Sequence, residues 1–481
     1  MEKRTKVIAT IGPSSREEEV IERLILAGVD VFRLNFSHGD HEYHAENIKR
    51  IRKISEKLGI PVAILQDLSG PKIRIGEVKE PFLLHQGEVL EIYGTRVHAE
   101  KKESTAKVYL EVPEVLKDLK PGDLIFIADG LIKLKVIDKT SEKVVAEVIQ
   151  GGVVSSRKGV NFPGAELSIP SFTPKDEVDL KFGLDAGIDI VALSFVNGAE
   201  DILRCKEVIK QKGKGQPVFA KIETQKGVEK IEEILSVADG LMVARGDLGV
   251  EIPIEKVPIL QKELVRIARK KGKPTIIATQ MLTSMINSTS PTRADISDIA
   301  NAVLDGADAL MLSDETTVGK YPVEAVKVMV KTIKEAEKIY PYQLEKGESV
   351  SSDFAIAYSS TILAEELKAK AIAVFTKTGS SAIRVSRFRP KAVILANVHD
   401  VEVWRRLAIV WGVKPFLILE EKEDPESMVR EFVTLACKEG LFTEKDTMVL
   451  TMGYPVGKEG STNLIRVIKG EYLKDAGISC S

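Results

Sequence analysis

A chain of 481 residues, 44% hydrophobic and 29% charged, has the composition of a soluble globular protein and is long enough for about three domains at roughly 150 residues each. Its 69 Lys and Arg against 71 Asp and Glu leave a net charge of -2, which excludes a global basic field for nucleic acid or an anionic membrane. An anionic substrate therefore has to be held by a local cluster of Arg and Lys. The cysteines, Cys205, Cys437 and Cys480, are isolated in sequence and form no metal-type pair, which fits inert thiols in a reducing compartment. The opening stretch MEKRTKVIATIG lacks the apolar core of a signal peptide, and no apolar run approaches membrane-spanning length, so a cytoplasmic location is expected.

Along the first two thirds one pattern recurs: a short β-branched apolar run, a polar or glycine-bearing turn, then an amphipathic helix. The runs are Val7–Ile11, Val29–Phe36, Val62–Gln66, Ile188–Phe195, Val218–Ile222, Leu241–Ala244, Thr275–Thr279 and Ala309–Leu312. Alternation of strand and helix with a count of eight predicts a (β/α)8 TIM barrel, in which chemistry sits where the strands end. After the third run, residues 72–170 change grammar to short alternating stretches such as PGDLIFIADG, LIKLKVID and KVVAEVIQGGVV, which read as an inserted β-barrel lid domain. Beyond Tyr340-Pro341 the polar linker LEKGESVSS opens a C-terminal α/β domain with a mostly parallel sheet. The expected domains are 1–71 with 171–340, 72–170, and 341–481, an α/β protein overall.

The chemistry concentrates between Val218 and Asp247. Lys221 and Glu223, two residues apart, share a strand face, and the next run ends in Ala244, Arg245, Gly246 and Asp247, a bend rich in N–H groups with a carboxylate at its tip. A lysine and two carboxylates at neighbouring strand ends can hold a divalent cation and a phosphate-bearing substrate together. Arg33, Asn35 and Ser37 share one face at the end of the second run, with Arg33 suited to bidentate phosphate contact. His38, His41 and His44 have a metal-like spacing, but no carboxylate or Cys completes a tetrahedral set.

The stretches KVIATIGPSSR, VFRLNFSHGDH, QDLSGPKIRIG, KGVNFPGA, FAKIET, MVARGDLGVEIP, ATQMLTSM, PTRAD and MLSDETTVGKYPVEAV, in this order, resemble pyruvate kinase from end to end. The resemblance implies transfer of the phosphoryl group of phosphoenolpyruvate to ADP, giving pyruvate and ATP. It places Arg33 and Lys221 on that phosphoryl group, Glu223 and Asp247 on Mg2+ or Mn2+, and the substrate carboxylate at the N–H groups near Gly246 and Asp247. Thr279 falls beside the enolate carbon; its pKa forbids it to be the ultimate acid, so Ser313, Glu315 or water must share that role. Asn35, His38, Arg74 and Lys158 fall near the nucleotide phosphates, with Arg157 and Gly159 beside them. A cytoplasmic homotetramer is implied as well.

One departure stands out. Potassium-dependent members read D-T-K-G-P-E-I-R-T-G where this chain has Asp67 to Gly76, so Leu68, Lys72 and Ile75 replace threonine, glutamate and threonine. The K+ pocket of Asn35, Ser37 and Asp67 could then be served by the Lys72 ammonium, and activity without K+ is expected. In the last domain Thr376, Lys377, Thr378, Gly379, Ser380 and Ser381 turn from strand to helix in a manner that suits a phosphate and resembles the family's effector site, with the late loop GYPVGKEGSTN over it. A plain glycine turn with a helix cap satisfies the same residues. Two rival readings fit part of the sequence: a metal-dependent barrel lyase or aldolase, which would not need Arg33, Lys158 and a lid for a nucleotide, and an inactive metabolite sensor, which would not keep the phosphoryl-transfer set.

Overall fold

The eight apolar runs become short strands buried on both faces, as a parallel sheet covered by helices requires. In the computed structural model, which describes residues 3–342, 351–418, 424–455 and 462–479, they are β1 Lys6–Thr10, β2 Val31–Asn35, β3 Ala63–Asp67, β4 Ile190–Leu193, β5 Val218–Ile222, β6 Gly240–Ala244, β7 Thr275–Ala278 and β8 Ala309–Leu312. They close into a parallel barrel in chain order, β8 pairing back onto β1 with Lys6 opposite Ala309. Strand ends match the apolar runs to within two residues, and two of the differences have a backbone cause. Phe195 and Thr279 have φ of 54° and 70°, the left-handed region, which turns the chain out of the ladder just after β4 and β7. Helix boundaries follow their caps: Asp40 accepts from the Tyr43 N–H at the start of His41–Leu58, and Thr292 with Asp295 forms a capping box before Arg293–Asp305.

The chain divides into two compact units, Met1–Gln66 with Asp185–Ile190 and Val265–Ser481, and Asp67–Leu184 with Val191–Leu264. In the second lies the insertion, a seven-stranded sheet ordered Val160–Asn161, Leu124–Ile127, Ile132–Lys139, Lys143–Gln150, Val89–Tyr93, Thr105–Tyr109, Glu100–Lys102, with a two-stranded ribbon of Phe82–Leu84 and Gly152–Val154. Its strands alternate, and Leu90, Ile92, Leu134, Val136 and Val144 meet in one apolar core.

The first unit carries the last third of the chain as a sheet of β9 Ala371–Phe375, β10 Val393–Val398, β11 Val413–Leu417, β12 Thr447–Gly453 and β13 Thr462–Lys469, ordered β11-β10-β9-β12-β13. Among the described residues the β12–β13 pairing is antiparallel and the other three pairings are parallel, so the expectation of a mostly parallel sheet holds. The helix Pro425–Lys438 buries Met428, Phe432 and Ala436 against this sheet's core. Most of the linker at 344–352 lies outside the described residues. Cys205 is a free buried thiol, but Cys437 is disulfide-bonded, which corrects the expectation of three isolated thiols; spacing along a chain does not report proximity in space. Cys480 lies outside the described residues.

Within the first unit Arg389 is buried, 3.0 Å from Asp308 and donating to the Gly306 carbonyl at 2.8 Å, with its guanidinium 4.7 Å from the Trp411 ring centre. Asp308 also accepts the Thr275 N–H at the start of β7. Removing one partner of such a pair strands a buried charge. Arg389→Met is therefore expected to destabilise the first unit by about 3–5 kcal/mol, seen as a lowered unfolding midpoint in a thermal scan; an unchanged midpoint would show the pair to be dispensable.

Candidate active site

In the second unit the residues expected to carry chemistry converge. Lys221, on β5, places Nζ 3.0 Å from Asp67 Oδ1 and 3.2 Å from Glu223 Oε1, and donates to Ser194 Oγ at 2.6 Å. All four residues are buried. The Phe195 N–H donates to Glu223 Oε2 at 2.7 Å, and Ser194 Oγ donates to the Leu68 carbonyl at 2.6 Å. Burial holds the Glu223 carboxyl well above its ordinary range, against the pull of Lys221, with Asp247 and Asp67 adding to the rise. Two carboxylates beside one ammonium leave negative charge in a dry place.

That charge balance suits a further cation. Asp247 sits in the first turn of the helix Arg245–Glu251, which begins where β6 ends, so the bend at Arg245 and Gly246 is a helix start. Among the described residues no group of three or more His, Cys, Asp or Glu is placed to cage a metal. Glu223 and Asp247 thus fit a divalent ion that takes its remaining oxygens from substrate and water, as Mg2+ does.

A cleft of about 470 Å3 opens beside these groups in the same unit, lined by Lys72, Arg74, Arg157, Lys158, Asp247 and Glu251 among others. Backbone pairing within the insertion forms part of its wall: Ile75 N–H donates to the Lys158 carbonyl at 2.9 Å and Val160 N–H to the Ile73 carbonyl at 2.9 Å. Burial, with Arg74 and Lys221 nearby, pulls the Lys72 ammonium down to about 8, while Asp67 and Asp247 oppose the shift. Lys72 therefore lies within electrostatic reach of Asp67, as a resident cation would have to. Two cleft residues escaped the sequence reading. Glu251, pushed up to about 7 by burial, is hydrogen-bonded to Asn161 of the insertion. Both stand in stretches already singled out, GVEIP and KGVNFPG, but nothing in the spacing pairs them. Ser194, the acceptor for Lys221, was likewise hidden inside an apolar run.

The first unit holds the other expected residues. Arg33 Nη1 donates to Thr10 Oγ1 at 3.2 Å, and Thr10 in turn donates to the Leu312 carbonyl at 2.8 Å. Asn35 closes β2, and Ser37 lies past it rather than on the strand, its N–H folded back to Asn35 Oδ1 at 3.1 Å. Thr279 donates to the Ala278 carbonyl at 2.6 Å. Both oxygens of buried Glu315 accept backbone N–H groups, from Leu282 at 2.9 Å and Ser313 at 2.8 Å. Glu315 is thereby fixed in place by the main chain, whereas the buried Ser313 Oγ has no partner among the described residues. The His38 carbonyl meets His44 Nε2 at 2.9 Å and the His44 ring stacks on Phe36 at 4.0 Å, so the histidines share local packing.

At the strand-to-helix turn of the last sheet, Gly379 has φ 89° and donates its N–H to Thr376 Oγ1 at 3.1 Å. Thr378 Oγ1 is 3.1 Å from Ser380 Oγ, and Ser381 Oγ is 2.8 Å from Thr462 Oγ1. Arg384 Nη1 donates to Ser380 Oγ at 3.2 Å. Lys377 stands in the same turn. Residues 456–461 of the late loop lie outside the described residues.

Residues 2–326 match the family profile described as pyruvate kinase, barrel domain, and residues 354–468 the one described as pyruvate kinase, alpha/beta domain. The chain is 47% identical to pyruvate kinase 2 of Synechocystis over 97% of its own length and 79% of that protein's. It is 44% identical to pyruvate kinase of Thermotoga maritima over 97% and 99%. The crystal structure of a pyruvate kinase from Cryptosporidium parvum superposes with a TM-score of 0.92 at 34% identity, covering 97% of this chain and 96% of that one. The chain belongs to the pyruvate kinase family.

Proposed function

We propose that the chain transfers the phosphoryl group of phosphoenolpyruvate to ADP, giving pyruvate and ATP, without needing K+. The observation that carries this reading is the buried cluster of Lys221, Asp67, Glu223 and Ser194 beside a cleft lined with Lys72, Arg74 and Lys158. A phosphoryl group in flight spreads charge over its equatorial oxygens, and a lysine held by fixed partners can meet that charge without reorganising. By the family resemblance Arg33 binds the same phosphoryl group, and Gly246 and Asp247 at the helix start take the substrate carboxylate. Mg2+ or Mn2+, held by Glu223 and Asp247, would supply charge neutralisation of the substrate oxygens.

Residues 72–170 act in this reading as a lid between the barrel segments 1–71 and 171–340, and Arg74 and Lys158 hold the ADP phosphates, with Asn35 and His38 carried over from the family. Protonation of the enolate runs past Thr279, with Ser313, Glu315 or water sharing the role; the unengaged hydroxyl of Ser313 supports it as a relay. Residues 341–481 form a regulatory domain in which the turn Thr376–Ser381 takes a phosphorylated effector; its hydroxyls and left-handed Gly379 support this. A cytoplasmic homotetramer follows from the resemblance alone. Among the described residues no helix is long and apolar enough to cross a membrane.

Pyruvate release from phosphoenolpyruvate and ADP with Mg2+ is expected at full rate in buffer free of K+ and Na+; no release with or without K+ would overturn the assignment. Lys72→Glu is expected to make turnover depend on added K+, whereas K+-free turnover in that variant would remove Lys72 as the resident cation. Lys72 is cationic below its pKa and neutral above it, so K+-free activity of the unaltered enzyme is expected to fall as pH rises through about 8. A pH profile flat to 10 would contradict this.

A further inference from the structure

The insertion leaves the barrel after β3 and returns before the helix Pro174–Ala186, and one carboxylate holds both crossings. Asp176 is fully buried. Its Oδ1 accepts from the Gly70 N–H at 3.1 Å and from Ser69 Oγ at 3.3 Å on the outgoing chain. Its Oδ2 accepts from the Thr173 N–H at 2.9 Å and Thr173 Oγ1 at 2.6 Å on the returning chain. Gly70 has φ 63°, and a Cβ there would come within 3.0 Å of the Phe195 ring and 3.1 Å of the Ser194 side chain. Only glycine lets the outgoing chain pass this close.

Phe195 is the other end of the link. Ser171, on the returning chain, donates from Oγ to the Phe195 carbonyl at 2.5 Å, while the Phe195 N–H holds Glu223 Oε2 at 2.7 Å. Phe195 itself sits at φ 54°, a costly conformation for a bulky residue, so its two main-chain bonds hold it there together. A swing of the returning chain that rotates the Phe195 main chain moves the N–H that orients Glu223.

We propose that Asp176 and Ser171 are positioning residues that tie closure of the inserted domain to the orientation of the metal-binding carboxylate Glu223 through the Phe195 main chain. This rests on the reading of residues 72–170 as a lid and of Glu223 as a metal ligand. Neither residue touches substrate. Asp176 sets the pivot, and Ser171 passes its position to the site, so that the metal is held best when the nucleotide cleft is shut.

The test uses Ser171→Ala and Asp176→Asn in the full chain, with Mn2+ as the probe. For Ser171→Ala, Mn2+ affinity measured by electron paramagnetic resonance without nucleotide is expected to weaken about 2- to 10-fold, the range of one lost hydrogen bond. The KM for ADP is expected to rise by a similar factor, and amide exchange at Phe195 to quicken in the metal-free protein. Asp176→Asn keeps the shape but offers a donor where an acceptor stood, and its KM for ADP is expected to rise with kcat less affected. A Ser171→Ala protein with unchanged Mn2+ affinity overturns the link, whatever its KM, and should Asp176→Asn fail to fold, Ser171→Ala decides alone. An unaltered enzyme that binds no Mn2+ or makes no pyruvate would instead sink the reading on which the inference rests.

Discussion

The site depends on one buried ammonium. Lys221 stands where Asp67 and Glu223 would otherwise repel each other in a region nearly closed to water, and its contacts at 3.0 and 3.2 Å let both carboxylates stay there. Coulomb interactions at this range are several times stronger than in bulk water. The same scarcity of solvent raises the Glu223 carboxyl and lowers the Lys72 ammonium. Opposite shifts in groups that share one neighbourhood indicate that desolvation, more than any single partner, sets the electrostatics. Such a place gains from a divalent cation and from a phosphoryl group whose charge is on the move, because both meet partners already fixed in place.

Fold and site are connected through backbone more than through side chains. The Phe195 N–H, the Leu68 carbonyl and the helix start at Arg245 are main-chain groups outside the ladder where β-strands stop, and buried side chains pair with the first two. A parallel barrel leaves such groups free of ladder partners at its carboxyl-terminal rim, where side chains and ligands can take them up. The insertion is built otherwise, as an alternating sheet with its own apolar core, and the chain entering it and the chain leaving it meet at Asp176. Buried Arg389 does for the first unit what Lys221 does for the second, matching a buried charge with partners that cannot leave.

Much of this was legible in the sequence. Periodicity found all eight barrel strands, because strands buried on both faces read as unbroken β-branched runs, and the pairing of Lys221 with Glu223 follows from a period of two. Strand ends at Phe195 and Thr279 were not legible, since a left-handed φ at a bulky residue has no local sequence signature. The last third reads only as an α/β layer with a mostly parallel sheet, and its strand order and the antiparallel β13 come from the structure. Contacts across long separations were hidden altogether: Asp176 with Gly70, and Asn161 with Glu251. The two backbone N–H groups that Glu315 accepts, from Leu282 and Ser313, were equally hidden, since residue type alone does not report main-chain partners.

The measurement that bears most directly on the central role of Lys221 is made on Lys221→Ala, comparing Mn2+ and phosphoenolpyruvate binding with the rate of phosphoryl transfer to ADP. If the ammonium meets charge that develops only in the transition state, both ligands still bind while turnover falls by about three decades or more. Turnover near that of the unaltered enzyme would contradict it, and would leave Lys221 as the counter-ion of two buried carboxylates and nothing else.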